Sequence, residues 1–170
     1  MKIVIAFLLL VTFCYGCANS QSTQLKRKAD TYYYQSNYDS ALFLFSQLIK
    51  MDSSNGEYFF KRGVCYMKFL RNEKSINDFI KSADLNYRQS SCFYNIGLDY
   101  AAENDSLALL YFNKCILIDP THSKCKQAIE ETKVRLKFDA SLDSSRRELK
   151  ELQGSNYKDS DLFKSRMKKN

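Results

Sequence analysis

The chain has 170 residues, enough for one ordinary domain, and carries 26 basic and 19 acidic side chains for a formal net charge of +7. The basic excess is local: residues 18–120 hold 12 basic and 11 acidic side chains, whereas residues 121–170 hold 13 and 8. Acids interleave with the bases there, which argues against nucleic acid as a partner and leaves a solvated helix face, or contact with anionic lipid or an acidic partner.

The N-terminus, "MKIVIAFLLLVTFCYGC", has one positive residue, Lys2, and then an apolar run from Ile3 to Phe13. That run is roughly half the ~20 residues needed to span a bilayer. Small residues follow it, so residues 1–17 are expected to be a cleaved export signal. "CYGC" resembles the bacterial lipoprotein box: Gly16 and Cys17 match, while Cys14 and Tyr15 depart from it. The resemblance implies lipidation of Cys17 and a bacterial envelope lipoprotein facing the periplasm, anchored in the membrane by its acyl chains. Ordinary signal-peptidase cleavage, after Gly16 or Ala18, would instead give a soluble periplasmic or secreted protein.

From residue 22 the chain repeats itself. Tyr32, Tyr66 and Tyr100 are 34 residues apart, as are Ala29, Gly63 and Gly97. Ala41, Ser75 and Ala108 follow at 34 and 33, and so do Phe45, Phe79 and Phe112, and Met51, Leu85 and Ile118. Each unit is expected to form two helices. The first carries a small residue with a tyrosine three positions on, and the second sets a small residue four positions before a phenylalanine, on one helical face. "SNYDSALFLFSQLIKMDSSN", residues 36–55, shows the second helix with Ala41, Phe45 and Ile49 on one stripe. Polar breaks begin at Gln35, Arg71 and Glu103, and Pro120 stops the last repeat helix.

These columns resemble the tetratricopeptide repeat (TPR) family. "FYNIGLDY" at Phe93–Tyr100 and "SLALLYFNKCILIDP" at Ser106–Pro120 are close to its two helical signatures, as are "NYDSALFLFSQLIKMD" and "NEKSINDFIKSADLN". Leu25 and Ala29 depart from the usual aromatic and glycine, Ser75 replaces alanine, and the third interhelix turn is one residue short. The resemblance implies an all-α, right-handed α-solenoid of three helix-turn-helix repeats, 22–55, 56–89 and 90–120. The end of such a stack needs a polar-faced cap. Capping helices are expected over 121–153, with Ala128, Val134 and Leu136 facing inward and a second helix starting near Ser141. A polar basic tail is expected over 154–170.

Little in the sequence carries chemistry. His122 is the one histidine and sits in the turn after Pro120, so no nucleophile–histidine–acid set forms without it, and no glycine-rich phosphate loop appears. An enzyme is not expected, nor a cofactor. Cys65, Cys92, Cys115 and Cys125 permit two disulfides in three connectivities, or serve as small buried hydrophobes. Without a CxxC pair or a histidine cluster beside them, no metal site is expected.

The TPR resemblance implies that the first helix of each repeat lines a concave groove. That surface would hold Lys26, Asp30, Tyr33 and Tyr34, then Phe60, Val64, Met67 and Lys68, and finally Tyr94 and Leu98. Its aromatics with a few charges suit an amphipathic helix or an extended peptide. The alternative is that several of them pack beneath the cap. The basic clamp of chaperone-binding members is not reproduced, since Asp30 and Lys61 fall where asparagines are usual. The expected function is an exported adaptor or scaffold binding a protein or peptide partner. The alternative is a membrane-surface or envelope-structural module, held by a lipid anchor and by Arg146, Arg147, Lys164, Lys168 and Lys169.

Overall fold

The computed structural model describes residues 21–167, with side chains through residue 151. The expected export signal, Cys17 and the last residues of the tail lie outside the described residues. Among the described residues seven helices run in order: α1 (21–34), α2 (Tyr38–Met51), α3 (Gly56–Lys68), α4 (Asn72–Asp84), α5 (Gln89–Tyr100), α6 (Asp105–Ile118) and α7 (Ser123–Met167). No strand occurs among the described residues. Each helix from α2 to α7 packs on its neighbour in sequence, which is the arrangement of an α-solenoid.

Local chemistry sets the helix starts. Asn37, Asn55 and Asn104 cap α2, α3 and α6 by accepting from the backbone N–H groups of Ser40, Glu57 and Leu107. Asp39, Glu57 and Asp105 add negative charge to those first turns. Between the paired helices the chain reverses through a left-handed residue, Ser36 at φ 59° and Leu70 at φ 53°. The third turn, one residue shorter, has no such residue.

The repeat columns become the core. Phe45, Phe79 and Phe112 are 0–1% exposed, and such burial is worth about 3 kcal/mol per ring. The notch that receives each ring lies on the preceding helix. A Cβ placed on Gly63 would stand 3.0 Å from the Phe79 ring, and one on Gly97 would stand 2.4 Å from Phe112. The small residue four positions before each phenylalanine faces the next repeat instead. Ala41 shares a cluster with Cys65, and the Ser75 hydroxyl donates to the Asp99 carboxylate on α5. That bond accounts for serine in an alanine column.

The C-terminal region departs from expectation. One unbroken helix, α7, replaces the two capping helices and runs on through Gly154 to Met167, with no proline or glycine to interrupt residues 121–153. Its inward face is Cys125, Ile129, Thr132 and Leu136, spaced four, three and four. Val134 falls on the opposite side and is 66% exposed, and Ala128 sits at the core's edge. Among the described residues, no helix is long and apolar enough to cross a membrane.

The cysteines divide. Cys115 on α6 and Cys125 on α7 form a disulfide, with Cα atoms 6.5 Å apart. Cys65 and Cys92 are buried free thiols, and burial pushes them up to about 12 and about 11. At neutral pH both are protonated and behave as packing groups.

Candidate functional site

The first helices of the three pairs, α1, α3 and α5, carry all ten residues expected to meet a partner. The structure sorts them by access. Tyr34 is 75% exposed, Leu98 is 39% exposed, and Lys68 is exposed with its ammonium 5.9 Å from the Tyr38 ring centroid. Lys26, Asp30, Tyr33, Val64, Met67 and Tyr94 are half-buried. Phe60 is a correction: it is only 7% exposed, with its ring against Phe79 and Tyr87 at centroid distances of 5.6 and 5.8 Å. It closes the core between α3, α4 and α5 and is not available to a ligand.

A four-membered charge network joins α1 to α3. The Lys61 ammonium lies 2.6 Å from both Asp30 and Glu57, and the Lys26 ammonium lies 3.1 Å from each of the same two carboxylates. Burial pulls the Lys61 ammonium down, but bonding to Asp30 and Glu57 more than offsets this and holds it above the usual lysine value. For Glu57, burial pushes up and the two lysines prevail, leaving the carboxyl below its ordinary value. Two cations and two anions cancel, so this part of the face offers an incoming ion little net charge.

Lys61 also lies over the Tyr33, Tyr34 and Phe45 rings, at 5.8, 5.6 and 6.0 Å from their centroids. Tyr33 stands edge-on to Tyr34, Tyr38 and Phe45, and burial pushes its phenol up. The network thus braces a tyrosine shelf whose outermost ring is Tyr34. Sequence reading missed Glu57 as a member. Its signal was the i, i+4 pair Glu57–Lys61, which opposes the pair Lys26–Asp30 on α1.

At the other end of the face, Tyr94 lies against Phe112 and the His122 ring, at centroid distances of 5.9 and 5.4 Å. His122 is not a free surface residue: it is half-buried, and its Nδ1 accepts from the Cys125 backbone N–H at 3.2 Å. The two cysteines joined in the disulfide also come close to this histidine. Cys115, His122 and Cys125 place their ligand atoms within 4.8 Å of one another, because the turn at Pro120 folds α7 back onto α6.

No family model matches the chain. Over 108 residues it is 27% identical to human sperm-associated antigen 1, an overlap covering 63% of this chain and 12% of that protein. It is 26% identical over 118 residues to chicken DnaJ homolog subfamily C member 3, covering 67% and 24%. The chain therefore spans only a small part of the curated relatives it matches. Among solved structures, the TPR domain of P58(IPK) superposes with a TM-score of 0.68 at 20% identity, covering 76% of this chain and 36% of that one. The Arabidopsis OM64 TPR domain gives 0.62 at 16% identity, covering 67% and 95%. The fold is a TPR solenoid. The first TPR of Spaghetti (RPAP3), bound to the HSP90 peptide SRMEEVD, gives 0.63 at 17% identity, covering 69% of this chain and 94% of that one.

Proposed function

We propose that this TPR chain is a protein-interaction adaptor, and that the face formed by α1, α3 and α5 holds an extended peptide or a helix of a partner protein. The observation that carries this reading is the pair Tyr34 and Leu98, held out of the core on the first helices of the outer repeats. Tyrosine is enriched among interface anchors because it buries much area at small entropic cost. Lys68 lies on the helix between them. The double variant Tyr34→Ala with Leu98→Ala tests the reading. It is expected to lose partner binding while helicity stays unchanged and the unfolding midpoint falls only slightly, because Leu98 is partly covered and Tyr34 touches Tyr33 and Lys61. Unchanged binding by the folded double variant would overturn the assignment of this face.

The partner chemistry is expected to differ from that of the RPAP3 domain. Asp30 and Glu57 neutralise Lys26 and Lys61, so an acidic peptide such as SRMEEVD meets no free pair of cations there. The proposal includes export, with Cys17 as the lipidated residue. The Cys115–Cys125 bond supports an oxidising compartment, where disulfides persist. Acyl labelling that is lost in Cys17→Ser would support the anchor, and labelling that persists would contradict it.

A further inference from the structure

We propose that Cys115, His122 and Cys125 form a redox-gated metal site, which as two thiolates and an imidazole takes one thiophilic d10 cation of the Zn2+ or Cu+ type. Three observations converge on it. The three ligand atoms already lie within 4.8 Å of one another. On a zinc ion with Zn–S of about 2.3 Å and Zn–N of about 2.0 Å, such atoms would stand roughly 3.5–3.7 Å apart, so once the disulfide opens the two sulfurs must separate while the histidine nitrogen stays close. Both cysteines are buried at 0% exposure and the imidazole is half-buried, so the histidine is the side from which solvent reaches the cluster. The His122 ring is positioned from two directions, by Tyr94 across one face and by the Cys125 N–H at Nδ1.

The spacing explains why the sequence does not show the site. Cys115 is buried near the end of α6, six residues separate it from His122, and two more separate His122 from Cys125. The three residues come together only through the reversal at Pro120. Soft thiolates favour Zn2+ and Cu+ over Mg2+ or Ca2+, and three protein ligands leave a fourth position open on Zn2+ or complete a trigonal set on Cu+.

Loading requires reduction first, so in the oxidising compartment proposed above the disulfide is the resting form and the metal form arises only where a dithiol donor reaches it. A dithiol reductant attacks the Cys115–Cys125 bond, each protein sulfur leaves with a proton as a thiol, and the reductant closes to its own disulfide. Binding then releases the two thiol protons as the metal–sulfur bonds form. In either state α6 and α7 remain tied, by a covalent bond or by a coordinate one.

The test uses the full chain with Cys14→Ser and Cys17→Ser throughout, which removes the N-terminal thiols as competing ligands. Zn2+ and Cu+ are titrated separately against a chromophoric chelator, and thiol alkylation is counted by mass spectrometry. The reduced chain is expected to bind one ion and to protect Cys115 and Cys125 from alkylation, and the oxidised chain is expected to bind none. His122→Gln keeps both thiols and the disulfide, and should weaken binding by more than the roughly 10–100-fold typical of a lost outer-shell partner. Cys115→Ser should abolish it, with circular dichroism confirming the fold. Absence of binding to the reduced chain with either ion, or binding indifferent to His122→Gln, would overturn the proposal.

Discussion

Between the first two repeats the joint is electrostatic. Lys26, Asp30, Glu57 and Lys61 close a network across α1 and α3, and Arg62 reaches from α3 to both oxygens of Asp78 on α4 at 2.7 and 2.8 Å and to the Ser46 hydroxyl on α2 at 3.3 Å. Between the last repeat and α7 the joint is covalent, with the Cys115–Cys125 disulfide spanning ten residues and Arg135 reaching back to Asp105. The same apolar columns run through both ends. What differs is the polar perimeter, which the repeat leaves free to vary. One joint therefore answers to pH and to loss of a charged partner, and the other to redox state.

The largest break should come from removing Arg62, which ties the two helices of the second repeat together and reaches the first repeat at Ser46. Asp78 is 5% exposed and its carboxyl stands above the ordinary value, because burial outweighs what Arg62 returns. Arg62→Met would strand that carboxylate and is expected to cost about 3–5 kcal/mol in urea unfolding. The paired change Arg62→Met with Asp78→Leu should recover most of the loss. At the other end, reduction or Cys125→Ser should cost roughly 3 kcal/mol, the worth of a cross-link over a loop of this size. That loss should leave the first joint's response to pH unchanged.

Smaller effects sharpen the contrast through opposite pH dependence. Glu57 has its folded value below the ordinary one, so its contribution is present above the ordinary carboxylate range and lost as pH falls through the folded value. Asp99 is the reverse: burial raises it, Ser75 offsets this only in part, and no cation is bonded to it among the described residues. Its ionisation opposes folding at neutral pH, and that penalty fades as pH falls through the raised value. Glu57→Gln should therefore lower the unfolding midpoint at pH 7, and Asp99→Asn should raise it. Both differences should shrink when the same pair of curves is taken near pH 4.

The contrast also marks what the sequence could reveal. Helix pairs, their order and the buried phenylalanines were legible, because a 34-residue period repeats one packing solution and only a few residue types satisfy it. Phe60 was misassigned because a position in the first helix does not say how far the ring reaches between helices, and here it reaches Phe79. The single long α7 was legible only as an absence of breakers between Ser123 and Ser141. Val134 was misplaced because the inward register of α7 follows from Cys125 and Ile129 rather than from hydrophobicity alone. The cluster of Cys115, His122 and Cys125 depends on a chain reversal, which residue spacing does not encode.

The central claim is that the α1, α3 and α5 face meets the partner and the outer helices do not. Photo-crosslinking residues placed singly at Tyr34, Leu98, Phe43 and Leu117 test it directly, since all four side chains are exposed at 75%, 39%, 61% and 81%. Tyr34 and Leu98 are predicted to yield the same discrete adduct, with none from Phe43 on α2 or Leu117 on α6. An adduct formed from Phe43 or Leu117, with Tyr34 and Leu98 silent, would contradict the account.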